Sequence, residues 1–126
     1  MRVAFVDMIF SWPPNGGADV DLYHVMKGLD AEGVEVRLFG LHEKGSAERG
    51  CFQPEELPFP AERFDFAGRR FRPAPVCRRI TEAVAAWRPD AVVVAHGFAL
   101  KPFLIQALAA WPCIARYYAH ELFCAR

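Results

Sequence analysis

The sequence predicts an α/β protein whose parallel sheet carries helices on both faces. Two short apolar runs, residues 3–6 and residues 91–95, show no alternation of polar and apolar side chains, and such runs are typical of strands buried on both faces. Each run is followed by a turn and then by apolar residues at helical spacing, which predicts an amphipathic helix after each strand. This alternation favours right-handed crossovers, and therefore a doubly wound, Rossmann-like sheet.

Length and composition limit the kinds of protein that this chain can be. Its 126 residues predict a single domain over residues 1–126, and a hydrophobic content of 53% predicts an ordered core. A net charge of zero gives no general attraction to nucleic acid, so we expect no nucleic-acid partner. No stretch reaches the roughly 20 apolar residues of a membrane span, and the apolar N-terminal run is too short for a signal peptide. We therefore expect a cytoplasmic protein.

The cysteines indicate a reducing compartment rather than a site built from thiols. Cys51, Cys77, Cys113 and Cys124 form no C-x-x-C pair and have no histidine at ligand spacing. Neither a zinc site nor a disulfide framework is therefore predicted. We expect isolated cysteines of this kind to be buried, small hydrophobic side chains.

The first strand, loop and helix are the unit around which the chain is organised. Residues 3–6 predict the strand, and the turn-rich loop of residues 11–17 follows it. Apolar residues then recur at helical spacing as far as Gly33, which predicts the C-terminal stop: they are Leu22, Val25, Met26 and Leu29. Asp19 and Asp21 fall in the first helical turn, where negative charge suits the helix dipole.

Two adjacent glycines, Gly16 and Gly17, end the loop. Glycine permits positive φ angles and a close approach of a ligand to the main chain, and backbone N–H groups at a helix N-terminus can bind an anion. A tight strand-to-helix turn without a ligand explains the pair equally well. Walker A is absent, because Ala18 follows Gly17, and the loop lacks the G-x-G-x-x-G fingerprint. An NAD-binding domain is therefore disfavoured.

The remaining elements continue the alternation of strands and helices. The other predicted strands are residues 34–39, 64–66, 91–95 and 114–119. Among them, residues 64–66 lie in an otherwise loop-like region. One helix ends before Pro89, because proline disfavours helical geometry in the residue before it. The last helix begins near Lys101 and closes at Pro112.

An arginine cluster lies before and within the helix that ends at Pro89. All the charged residues between Ala67 and Thr81 are arginines: Arg69, Arg70, Arg72, Arg78 and Arg79. One interpretation is a patch for anionic lipid or a phosphate-bearing acceptor, with nucleic acid as a further option for this local cluster. The other, which we favour, is a solvated loop and helix face, because apolar residues form a stripe on the opposite side of the helix. That stripe comprises Val76, Ile80, Ala83, Val84 and Trp87.

Three polar features come to the same edge of the predicted sheet. In open α/β sheets, ligands bind beyond the carboxyl ends of the strands. The Gly16–Gly17 loop, His96–Gly97 and His120–Glu121 each follow a predicted strand. One histidine at a strand end is more often a hydrogen-bonded structural residue, but two beside a glycine loop make a ligand site an equal alternative.

Two segments resemble family 4 glycosyltransferases of the GT-B fold. The loop Pro13-Pro14-Asn15-Gly16-Gly17-Ala18-Asp19 is similar to the family's Pro-Pro-x-Gly-Gly-Ala-Glu loop, with Asp19 in place of Glu, and residues 88–97 are similar to its Pro-Asp-Val-Val-His-x-His segment. In the family, a histidine after the next strand lines the cleft near the reacting sugar. The usual spacing lands on Tyr118, and His120 lies two residues further. A two-residue shift keeps the same face of a strand, so both residues stay candidates.

The resemblance implies a retaining transfer of a sugar from a nucleotide-sugar to an acceptor hydroxyl. The acceptor would be a glycan or a lipid-linked molecule, as in cell-envelope polysaccharide synthesis. It implies a catalytic role for His120, and substrate or diphosphate contacts for Asn15, Gly16, Gly17, His96 and Tyr118. Neither a metal nor another cofactor is expected, because backbone dipoles and basic side chains stabilise the departing diphosphate.

The resemblance also implies that residues 1–126 form only the N-terminal, acceptor-binding half of a GT-B enzyme. In that family a C-terminal domain with a Glu-x7-Glu motif binds the nucleotide-sugar. We therefore expect this part alone to be inactive and to need the missing C-terminal domain in cis or in trans. Peripheral contact with the cytoplasmic face of a membrane, through the arginine cluster, agrees with the family. The alternative hypothesis is a non-catalytic α/β module that binds a phosphate or nucleotide at the glycine loop.

Overall fold

A parallel sheet forms the framework of the domain in the computed structural model, which describes residues 1–45, 50–67 and 72–118. Its strands are β1 (Arg2–Asp7), β2 (Glu35–Lys44), β3 (Ala61–Ala67), β4 (Ala91–Val94) and β5 (Cys113–Ala115). They are ordered β3-β2-β1-β4-β5, and all neighbouring pairs run parallel. The chain moves outward from β1 to β2 and β3, then crosses back to β4. The carboxyl ends of β1 and β4 therefore mark the topological switch point, where ligands bind in such sheets.

Helices cover both faces of this sheet. They are α1 (Gly17–Ala31), α2 (Pro73–Trp87) and α3 (Lys101–Ala107), with short 3₁₀ turns at Pro54–Glu56 and Phe98–Leu100. Leu22 and Met26 of α1 belong to the hydrophobic cluster on one face. The hydrophobic cluster on the other face includes side chains of α2 and α3, such as Ile80 and Leu104. The predicted doubly wound, Rossmann-like α/β fold is therefore confirmed.

The central strand β1 shows why its sequence is apolar throughout. Val3 and Phe5 pack in the cluster that contains α1, whereas Ala4 and Val6 pack in the cluster that contains α2 and α3. Successive side chains of a strand point to opposite faces, so a strand covered on both sides needs an apolar residue at every position. The run ends at Asp7, which is completely buried but charged.

Several predicted boundaries agree with the structure, and three differ. The helix after the glycine loop ends as predicted, because Gly33 adopts a positive φ of 84° and its N–H bonds to the Asp30 carbonyl oxygen. The short strand predicted at residues 64–66 is present as part of β3. Pairing with β3 carries β2 on to Lys44, well beyond the predicted end at residue 39. Regular structure in β5 stops at Ala115, earlier than predicted, and α3 is a short helix followed by turns.

The face of α2 that carries arginines is solvated, as favoured from the sequence. Val76, Ile80 and Val84 are buried, whereas Arg72, Arg78 and Arg79 are exposed. The Arg79 guanidinium also lies 5.2 Å from the ring centroid of Phe64 and 5.5 Å from that of Phe66, so it packs on β3 as a cation–π partner. Arg69 and Arg70 lie outside the described residues, and membrane contact stays a prediction.

Two further expectations concern the cysteines and membrane spans. Cys51, Cys77 and Cys113 are half-buried rather than fully buried, and burial raises the pKa of the Cys77 and Cys113 thiols. Cys124 lies outside the described residues. Within residues 1–45, 50–67 and 72–118, the helices are too short or too polar to cross a membrane.

Candidate functional site

A cleft of about 500 Å³ opens at the carboxyl ends of β1 and β4. Its described lining consists of Ile9, Asn15, Gly16, Gly17, Ala18, Asp19 and His96. The loop after β1 and His96, which follows β4, thus lie on opposite sides of the cleft at the switch point. This is the edge of the sheet at which the sequence predicted a ligand site.

A buried carboxylate, Asp7, connects two of the segments that line this cleft. Its Oδ1 accepts hydrogen bonds from the backbone N–H groups of Ile9 and Phe10, both at 2.8 Å. Its Oδ2 accepts the backbone N–H of His96 at 3.1 Å and lies 3.2 Å from His96 Nδ1. An ionised carboxylate can only accept, so the proton of a neutral His96 ring resides on Nδ1. Asp7 therefore fixes the loop after β1, the end of β4 and the tautomer of His96 together.

Asp19 holds the glycine loop in its shape. The side chain is only 6% exposed, and its carboxylate accepts the backbone N–H groups of Ser11 at 3.2 Å and Asn15 at 2.9 Å. The sequence predicted a favourable charge in the first turn of α1 for this residue. The structure adds a second role, because the carboxylate satisfies two loop donors and closes residues 11–15 onto the helix.

The two glycines leave open space rather than adopting an unusual backbone. Gly16 is extended, with φ of −166° and ψ of 176°, and Gly17 begins α1 without a positive φ. Neither position therefore uses the positive φ angle that glycine permits. A Cβ atom added at either glycine would meet no atom of the described residues within 4 Å. Within the described parts of the chain no side chain caps α1 at Gly16, so a ligand can approach the first backbone N–H groups of the helix closely.

Tyr118 lies beside His96, although it follows β5 rather than belonging to it. The ring centroids of Tyr118 and His96 are 4.4 Å apart. The Tyr118 hydroxyl donates to Asp21 Oδ2 at 2.9 Å, and Arg116 Nη2 contacts the same oxygen at 2.6 Å. Burial, and next the hydrogen bond to Asp21, raises the pKa of the Tyr118 phenol well above its ordinary value, while Arg116 acts in the opposite direction.

The segment after His96 is fixed by close packing and by a buried lysine. A Cβ at Gly97 would lie 2.7 Å from Lys101 Cβ, so this position needs glycine for steric reasons. Lys101 is 3% exposed, and its ammonium donates to the Arg116 carbonyl oxygen at 2.6 Å. The start of α3 is thereby joined to the chain just beyond β5.

The structure brings most of the predicted site residues together. Asn15, Gly16, Gly17 and His96 line one cleft, and Tyr118 packs against His96. His120 lies outside the described residues, so its predicted catalytic role stays a prediction. The choice between Tyr118 and His120 for the family's cleft position likewise stays a prediction.

Sequence reasoning missed the contacts through which a second set of residues supports the site. These residues are Asp7, Asp19, Asp21, Lys101 and Arg116, which act through contacts within the protein. A charged residue that ends an apolar strand was the available signal for Asp7. Asp19 bonds to backbone N–H groups only four and eight residues before it, whereas Asp21 and Arg116 are far apart in sequence and no spacing pattern reveals their contact.

The described part of the chain contains no group of three or more histidine, cysteine or acidic side chains that could hold a metal ion. Asp7 and Asp19 direct their carboxylate oxygens to backbone N–H groups. The expectation that the chemistry needs no metal or other cofactor stays a prediction.

The fold and the cleft define a class of protein: a Rossmann-like α/β domain with a polar cleft at its topological switch point. A family model described as the glycosyl transferase 4-like domain matches residues 16–122. The chain belongs to this family. This match confirms the family resemblance found in the glycine loop and in residues 88–97. It supports a glycosyltransferase, and the partners of such a protein are in general a sugar donor and an acceptor.

Among solved structures, the C-terminal domain (residues 78–226) of a hydrogenase from Pyrococcus furiosus is similar to this chain. The TM-score is 0.60 at 12% sequence identity, over 92% of this chain and 91% of that chain. At this level of identity the likeness concerns the fold alone. No curated protein matches this chain.

We predict that Asp7→Ala lowers the free energy of unfolding by about 3 kcal/mol or more, because it leaves several buried N–H groups without an acceptor, at about 1–3 kcal/mol each. Asp7→Asn keeps one acceptor oxygen and should cost less than the alanine variant. Urea unfolding followed by circular dichroism measures both. Asp30→Asn, on the exposed side of α1, is the control and should change stability by less than about 0.5 kcal/mol. Equal midpoints for Asp7→Asn and Asp30→Asn would refute this role of Asp7.

We predict a pH-dependent contribution from the Tyr118 hydroxyl. Because the folded state raises its pKa, its stabilisation is complete below the pKa of an unfolded tyrosine, about 10, and falls as the pH rises above that value. The stability difference between wild type and Tyr118→Phe should therefore shrink between about pH 9 and about pH 11. Urea titrations at several pH values measure this difference, and a constant or growing difference would contradict the assignment.

Proposed function

We propose that this domain forms the acceptor side of a retaining glycosyltransferase. The reaction moves a sugar from a nucleotide-sugar to a hydroxyl of a glycan or lipid-linked acceptor. Family membership supports sugar transfer, and the composition of the cleft supports the acceptor side. Asn15 and His96 are hydrogen-bonding residues suited to hydroxyls, and the described lining contains neither arginine nor lysine.

His96 is the residue that we assign to the acceptor hydroxyl. With its Nδ1 proton directed to Asp7, the acceptor atom of the neutral ring is Nε2, and a fixed tautomer suits it to orient a hydroxyl. Tyr118 packs on the ring and acts as a positioning residue. His120 is proposed as the catalytic residue on the resemblance of the sequence to the family.

The glycine loop is assigned to the leaving group. In the proposal, the open space at Gly16 and Gly17 lets the diphosphate approach the backbone N–H groups at the start of α1, with Asn15 beside it. These dipoles favour the negative charge that develops as the sugar leaves. No metal is invoked. A second domain that holds the nucleotide-sugar, in cis or in trans, completes the enzyme.

The proposed place of action is the cytoplasm, and peripheral membrane contact is part of the proposal. Arg72, Arg78 and Arg79 are exposed on or beside α2, and such side chains attract an anionic lipid surface. Since Arg79 also packs on aromatic rings of β3, Arg78 is the cleaner residue for a charge-reversal experiment.

A non-catalytic module that binds phosphate or nucleotide is the second candidate. It is favoured by the uncapped start of α1 at Gly16. Family membership weighs against it, because the family model that matches residues 16–122 is described as a glycosyl transferase 4-like domain. Measured sugar transfer distinguishes the two candidates.

We predict that Gly17→Val lowers sugar transfer at least about tenfold, which corresponds to roughly 1.4 kcal/mol of transition-state stabilisation. The Val side chain enters the open space of the cleft, and the fold tolerates it because nothing lies within 4 Å of an added Cβ. Gly28→Val is the matched control. Gly28 is also in α1 and also faces open space, but it does not line the cleft.

The assay uses the protein expressed from its complete reading frame. It is incubated separately with radiolabelled UDP-glucose, UDP-N-acetylglucosamine and GDP-mannose, with a membrane and glycan extract as the acceptor. Transfer that is lost in Gly17→Val and kept in Gly28→Val supports the proposal. Nucleotide binding without transfer from any donor would favour the second candidate, and equal transfer by both variants would remove the glycine loop from the site.

A further inference from the structure

A small apolar pocket adjoins the cleft on the side of β4. Its volume is about 160 Å³, and its apolar walls include Met8, Ile9, Phe98 and Leu100. Among the described residues that line this pocket, Glu43 alone is charged. A cavity of about 150 Å³ lined by apolar side chains can hold benzene, so this pocket has the capacity for one phenyl-sized group.

The pocket and the cleft are neighbouring compartments of one surface. Ile9 lines both of them. His96 lines the cleft, and the next residue, Gly97, lines the pocket. A single small molecule with one polar and one apolar end can therefore occupy both compartments.

Phe98 forms a wall of this pocket at a conformational cost. Its φ is +41°, an unfavourable angle for a bulky residue, and half of the residue's surface is exposed. Strained residues cluster at ligand sites. The ring lies nearly parallel to the His96 ring, at 16° and 6.4 Å between centroids, which directs it to the border between pocket and cleft.

We infer that the acceptor carries an aryl group that binds in this pocket while its hydroxyl lies in the cleft beside His96, an inference that rests on the proposed function. The Met8 sulfur and the Phe98 ring both make favourable contacts with aromatic rings, which selects an aryl group over a branched alkyl group. The Glu43 carboxylate accepts a hydrogen bond from a donor substituent on that group.

Fragment binding tests the inference without a sugar donor, so its failure is distinguishable from failure of the proposed function. The ¹⁵N-labelled protein is titrated with benzyl alcohol, 3-methyl-1-butanol and glycerol, and amide chemical shifts are recorded. Benzyl alcohol should give saturable shifts at residues 8–9 and 97–100, and glycerol should give none there. No saturable shift, or shifts confined to other regions, would overturn the pocket. Equal or tighter binding of 3-methyl-1-butanol would overturn the aryl assignment.

A matched pair of alanine substitutions tests the location. Ala99→Leu adds bulk to an exposed residue of the pocket lining and should weaken benzyl alcohol binding at least about tenfold. Ala109→Leu adds the same bulk at an exposed position just beyond α3 and should leave binding unchanged. Equal affinity of the two variants would place the fragment elsewhere.

We predict opposite effects of Phe98→Asn on stability and on binding. Asparagine accepts a positive φ more readily than phenylalanine, so the urea midpoint should rise. The loss of the ring should weaken benzyl alcohol binding at least about tenfold. Unchanged binding would contradict the inference, and a fall in the midpoint would show that Phe98 serves the fold rather than a ligand.

Discussion

The buried carboxylate of Asp7 is the constraint on which the rest of the site depends. It ends the central strand and has no exposed surface, so its charge must be satisfied within the protein. Backbone N–H groups from the following loop and from His96 satisfy it. The last of these joins residues 89 positions apart in sequence. One side chain therefore joins the two strand ends between which the sheet reverses its order, and the cleft lies where they meet.

Two further aspartates extend the same arrangement along α1. Asp19 binds the loop before the helix, and Asp21 binds Arg116 and Tyr118 beyond β5. Each carboxylate is used to hold a neighbouring segment, so the start of α1 is fixed from both sides. This explains how an exposed loop with two consecutive glycines keeps a defined shape, and why those glycines can leave space for a ligand.

The sequence predicted the sheet well because burial on both faces leaves a local signature. The continuous apolar runs around Phe5 and Val93 identify strands covered on both faces, because a strand with one solvent-exposed face alternates polar and apolar residues. It predicted the ends of β2 and β5 less well, since pairing with a neighbouring strand decides where regular structure stops. Within the site, His96 and the glycine loop follow predicted strands and were found. Lys101 and Arg116 support the site through contacts between distant segments, and a single sequence carries no record of them.

The two compartments at the switch point have opposite chemistry, and this difference bears on what the domain recognises. The cleft presents Asn15, His96 and the glycine loop, which suit hydroxyl groups. The adjoining pocket is mostly apolar and is bordered by the strained Phe98. The fold does not require a strained aromatic residue at this edge of the sheet. The proposed acceptor, with a polar and an apolar part, fits the chemistry of both compartments.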